Sequence, residues 1–217
     1  MYIVLDESGD LGWSFDKPNR DGGSSRYFTI SHFCCPKMQS KQIERFIKSV
    51  HRKFNLNPQV EKKGCSFSDV DAAAISKDFV SHLSKFPDFR FGTITICKCN
   101  VVDRLRKDQN IIYNFATYQL LHALISKFEL LHFVPDKRSI KVNRGMMMSD
   151  YLTTKLVTEH SSSIEILYDP KVSLYYKDLW LADWIANFVW RHYEDGRSEA
   201  FNILRSSPQY FHKELYF

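Results

Sequence analysis

A few short stretches of this sequence set acids where apolar elements end. The chain opens YIVLDESGD, so an apolar run at residues 2–5 leads into Asp6 and Glu7, with Asp10 beyond Ser8 and Gly9. Asp and Gly also build ordinary turns, so a turn stands beside any chemical reading of this stretch. Asp183 lies in LADWIANFVW, with Leu179, Ala182, Ile185, Ala186 and Val189 around it. A carboxylate on so apolar a helix is costly unless it is paired or bound to a cation. The alternative is a polar helix edge shared with Asn187, four residues on. Glu61 lies in VEKKG, followed by Lys62 and Lys63. It reads either as an exposed charge run beside a turn glycine, or as a metal ligand with a lysine near a phosphate. Carboxylates gathered from several elements are what a hard divalent cation requires.

Other chemistries lack their residues. The eight histidines form no HExxH or HxH pattern, and the sequence has no GxxxxGK[ST], GxGxxG or GxSxG. Ser8 has no histidine placed to activate it. The five cysteines are odd in number and contain no CxxC, which argues against a disulfide framework or a structural zinc site.

Strands are expected at residues 2–5, 27–35, 89–97, 139–143 and 164–168, the last of these closing the series. Helices are expected at 39–54, 68–86, 110–130, 146–159 and 179–194, with 11–25 as a loop. Ser68 with Asp71 three residues on resembles a helix start signal. Strands first, then strands alternating with helices, predict an α/β fold with a mixed central sheet flanked by helices. In such sheets ligands gather at the carboxyl ends of strands. Asp6 and Asn143, in IKVNRG, both fall at such ends.

With 217 residues, 44% of them hydrophobic, the chain can bury one sizeable core, so a single domain over 1–217 is expected. No apolar run is long enough to span a membrane and no basic-then-apolar leader precedes the first strand. A soluble protein in a reducing cytoplasm is the expectation. The formal charge of +5 suits a basic surface around an acidic pocket, as phosphodiester chemistry would need.

YIVLDESGD at 2–10, VEKKG at 60–64, IKVNRG at 140–145 and DPKVSLYYKDLWLADWIANFV at 169–189 resemble, in order and spacing, the blocks of the domain of unknown function 3800 family. That family belongs to the ribonuclease H-like superfamily. The resemblance implies a carboxylate cluster that binds two Mg²⁺ or Mn²⁺ ions and cleaves nucleic acid, in a setting such as bacterial or phage defence. It implies Asp6, Glu61 and Asp183 as metal ligands, with Glu7 and Ser8 as auxiliary members of the opening motif. Lys62, Lys63 and Arg144 are the expected phosphate contacts. Where the family has aspartate before arginine, this chain has Asn143 before Arg144, and an amide brings no negative charge. A natural variant, a degenerate enzyme and an altered sequence all fit, as does an alignment in which Asp150 takes the role.

The leading expectation is therefore a metal-dependent nuclease acting on DNA or RNA. Beside it stands a weakened or inactive nucleic-acid-binding module using aromatics such as Trp13, Phe15 and Tyr27. A third reading is a toxin or effector part that binds a protein, or a second copy, through the aromatic segment PQYFHKELYF, which reads equally as a strand or helix finishing the fold.

Overall fold

The computed structural model describes residues 1–137 and 146–217. β1 (Tyr2–Ser8) leads through a loop to β2 (Tyr27–Cys35). α1 (Lys41–Lys53) and α2 (Asp69–Leu83) precede β3 (Arg90–Cys97). The short α3 (Asp103–Arg106) and the long α4 (Gln109–Ile125) lead to β4 (Leu130–Pro135). α5 (Met148–His160), β5 (Glu165–Tyr168), α6 (Lys177–Asp195), α7 (Glu199–Arg205) and β6 (Tyr210–Leu215) follow.

The strands form one sheet in the order β5-β4-β1-β2-β3-β6. β2 lies between β1 and β3 and runs antiparallel to both, while β4 runs parallel to β1, β5 to β4 and β6 to β3. One face carries α1, α2, α6 and α7 over a core that includes Tyr2, Val4, Phe33, Phe91 and Trp184. The other carries α4 and α5 over Ile3, Leu5, Phe28, Ile94 and Leu121.

Local sequence explains several elements directly. Ile43, Phe46, Ile47 and Val50 lie at helical spacing and are all buried on α1. Ser68 caps α2: its hydroxyl accepts the Asp71 N–H at 3.1 Å and donates to the Asp71 carboxylate at 2.7 Å. α6 is buried almost all round, and its Ala182 carbonyl accepts the Ser31 hydroxyl of β2 at 2.6 Å. That contact seats the helix across the centre of the sheet.

Two expectations change. The helix expected to reach residue 130 ends at Ile125, and the apolar run LLHFVP becomes β4. The strand expected at 139–143 lies outside the described residues, as do Asn143 and Arg144. The last strand is β6, not β5, and it comes from the aromatic C-terminal segment.

Candidate functional site

Strand alternation sorts the opening motif. Tyr2 and Val4 point to the α6 side and Ile3 and Leu5 to the α4 side, so Asp6 must follow the first pair and Glu7 the second. The hydrogen bonds agree. The Tyr113 hydroxyl of α4 donates to Glu7 Oε2 at 3.1 Å, and the Asn187 amide of α6 donates to Ser8 Oγ at 3.1 Å. Asp10 leaves the group. Its carboxylate accepts the N–H groups of Gly12 and Ser25, each at 2.6 Å. The fully buried Lys98 ammonium binds the carbonyls of Asp10 and Gly12 at 2.7 and 2.8 Å. For Asp10 the turn is the whole explanation.

A second acid stands beside Asp6. The parallel register pairs Leu5 with Pro135, and the next N–H, that of Asp136, donates to the Leu5 carbonyl at 2.9 Å. Asp136 therefore leaves β4 at the level where Asp6 occupies β1. The Ser173 N–H donates to its Oδ1 at 3.1 Å. The Ser173 hydroxyl donates to Glu61 Oε2 at 3.2 Å, so one serine ties Glu61 to Asp136. Glu61 Oε1 meets Lys63 Nζ at 2.6 Å.

Asp183 faces the same place from α6. The Gly64 N–H donates to its Oδ2 at 2.6 Å. This needs the 61–64 segment pressed onto the helix, and a Cβ on Gly64 would lie 2.7 Å from Asn187 Cβ. Only glycine fits that approach. The Trp184 indole donates to the Lys62 carbonyl at 2.6 Å and Arg191 to the Gly64 carbonyl at 2.7 Å, fixing the segment on both sides.

The electrostatics record the convergence. Burial, then the charges of Glu7, Asp183 and Asp136, push Asp6 well above the ordinary carboxylate range, despite the Glu7 N–H that its Oδ1 accepts at 2.7 Å. Burial also pushes Asp183 up to about 6, with Glu61 and Asp136 adding to it and the Gly64 N–H and Lys63 opposing. Asp136 is raised mainly by burial, with the Ser173 N–H and Lys63 working against the rise.

The donor set suits a hard divalent ion: carboxylate oxygens only, buried at Asp6 and partly buried at Glu61, Asp136 and Asp183, and carrying like charges that a cation would relieve. Among the described residues no three acidic, histidine or cysteine side chains have closed into a group that could hold one ion. Glu61 is turned to Lys63 instead.

The other sequence candidates are placed as follows. Lys62 packs its ammonium over the Phe67 ring at 5.8 Å. Asp150 is exposed on the first turn of α5, where its carboxylate accepts the Ser149 hydroxyl at 3.5 Å. Asp136 and Ser173 are what sequence reasoning missed. Asp136 had a legible signal, since FVPD repeats the strand-then-aspartate pattern of IVLD. Ser173 had none.

No family model matches the chain, and no curated protein sequence matches it. Solved structures do. One is described as the PCNA:RNase HII complex from Archaeoglobus fulgidus: TM-score 0.52, 14% identity, covering 96% of this chain and 82% of the matched chain. Another is a single-residue mutant of Bst-RNase HIII: TM-score 0.47, 13% identity, covering 94% of this chain and 56% of the other. The fold is ribonuclease H-like. The sheet is its mixed core, and the acids of β1, the end of β4 and α6 lie together on one face. No helix among the described residues is long and apolar enough to cross a membrane.

Proposed function

We propose that this chain is a divalent-metal-dependent nuclease that hydrolyses phosphodiester bonds, with Asp6, Glu61, Asp136 and Asp183 as its metal-holding set. The observation that carries this reading is the parallel register of β1 and β4, which sets Asp136 beside Asp6 where Asp183 also faces. Asp136 takes the place that the sequence reading gave to Asn143, so the site keeps a full set of charges. A bound pair of Mg²⁺ or Mn²⁺ ions supplies an activated water and charge stabilisation at the leaving oxygen.

The chain's own residues do the positioning. Ser173 holds Asp136 and Glu61 in fixed relation. The Gly64 N–H aims Asp183, and Tyr113 holds Glu7 on the α4 side. Lys62 and Lys63 follow Glu61 and in this reading contact phosphate oxygens, which orient a strand without reading its sequence.

Incubation with labelled single-stranded, double-stranded and hybrid DNA and RNA, in Mn²⁺ and in chelator, tests the reading. Cleavage of at least one substrate that is lost in chelator and in Asp136→Asn supports it. Metal-independent cleavage, or none with any substrate, opposes it.

A further inference from the structure

Lys63 Nζ lies 2.6 Å from Glu61 Oε1 and 3.3 Å from Ser173 Oγ. Ser173 also holds Glu61 Oε2 and, through its N–H, Asp136 Oδ1. The residue after Lys63 holds Asp183 by its N–H. One ammonium is thus tied into a network that reaches three of the four acids. Its charge opposes the raised pKa of both Asp183 and Asp136.

The two partners of the ion pair differ in a telling way. The Glu61 side chain is 10% exposed and the Lys63 side chain 46%. Glu61 is also held from its other oxygen by Ser173, whereas Lys63 reaches in on a flexible four-carbon stem from a surface turn. If the pair opens, the lysine moves and the carboxylate stays. A half-exposed ion pair is weak, and four converging carboxylates favour a double charge over a single one.

We infer that the Lys63 ammonium is a tethered counter-ion which a divalent metal displaces from Glu61, and that the displaced ammonium then contacts a phosphate of the bound strand. The inference rests on the metal-dependent reading above and adds an exchange to it. It accounts for a site in which the acids converge while Glu61 faces a lysine. It also gives Lys63 opposite effects on two ligands: it competes with the metal and it assists the nucleic acid. A lysine that served only as a phosphate contact would not affect metal affinity.

The experiment is calorimetric titration of the full chain with Mn²⁺ alone, for the native protein, Lys63→Met, Lys63→Gln and Lys63→Arg. A second measurement is binding of a labelled oligonucleotide in Ca²⁺. Melting in chelator establishes which variants are folded, and the two neutral variants back each other up. Both should bind Mn²⁺ more tightly than the native protein, by roughly 1.5-fold to fivefold, the range that loss of one half-exposed competing charge allows. Both should melt lower in chelator and bind the oligonucleotide more weakly. Lys63→Arg, which keeps the charge, should stay near the native Mn²⁺ affinity. Equal or weaker Mn²⁺ binding by the folded neutral variants overturns the exchange while leaving the metal site standing. Tighter Mn²⁺ binding with unchanged oligonucleotide binding overturns its phosphate half. No Mn²⁺ binding by the native protein removes the metal-dependent reading and the exchange with it.

Discussion

At the scale of single residues, the site is defined by carboxylates whose charges disfavour one another. Asp183 shows the consequence for pH. Its folded pKa of about 6 lies above the unfolded value of 3.8, so between these values the folded chain holds a proton that the unfolded chain has lost. The contribution of Asp183 to stability in chelator should therefore fall as pH rises from about 4 to about 6, by an amount on the order of 3 kcal/mol. Asp6 and Asp136, both raised, push in the same direction. Chemical denaturation of the native chain and of Asp183→Asn across that range measures it by difference, because buried His32 and His212, whose pKa values burial lowers to about 3 and about 4, add stability over the same rise; a native-minus-variant difference that stays flat or grows with pH would contradict the account. Neutralising one acid should have the matching effect. Asp136→Asn keeps an acceptor for the Ser173 N–H but removes a charge, so it should raise the melting temperature in chelator while abolishing Mn²⁺-dependent cleavage. Asn143→Asp offers a comparison: with Asp136 already supplying the charge, it should raise activity little.

At the scale of elements, the contact between the 61–64 segment and α6 is the assembly step that matters most. Gly64→Ala would set a Cβ 2.7 Å from Asn187 Cβ and 3.1 Å from the Asp183 carbonyl, within tightly held backbone. Overpacking of this kind costs about 1–3 kcal/mol. It should also weaken Mn²⁺ binding, since the Gly64 N–H and Glu61 both shift from Asp183; urea melts and metal titration read the two losses separately. Elements of this kind differ in how legible they were. α1 announced itself because only one face is buried, so its apolar spacing is clear. β1 did so because a β-rich run ends at an acid. β4 was hidden: α4 is buried on many sides, so its apolar residues flow into LLHFVP with no polar face to mark the boundary. The strand that carries Asp136 at its end therefore has no boundary of its own in the sequence. Ser173 opens a single short 3₁₀ turn, where no periodicity can point to a hub that depends on three-dimensional packing.

At the scale of the whole molecule, the site sits where strand ends from the centre of the sheet meet a helix buried almost all round, so its acids are held by the core itself. Cys34 and Cys35 are buried in that core, their thiols pushed up to about 12 by burial, and are poor nucleophiles there. A metal that binds only the folded chain stabilises all of it. At a hundredfold excess over the dissociation constant the gain is about 2.7 kcal/mol. For a chain of this size that is a rise of roughly 5–10 °C in melting temperature. Na⁺ at equal ionic strength should not reproduce it. The most direct test of the central claim, that acids from four separate segments form one metal site, is Mn²⁺ affinity measured by electron paramagnetic resonance in the native protein and in Asp6→Asn, Glu61→Gln, Asp136→Asn and Asp183→Asn. The account predicts saturable binding by the native protein and at least about a tenfold loss in each variant, as removal of a ligand charge from a dication requires. Native-like affinity in folded Asp136→Asn or Asp6→Asn, or no binding by the native chain, would contradict it.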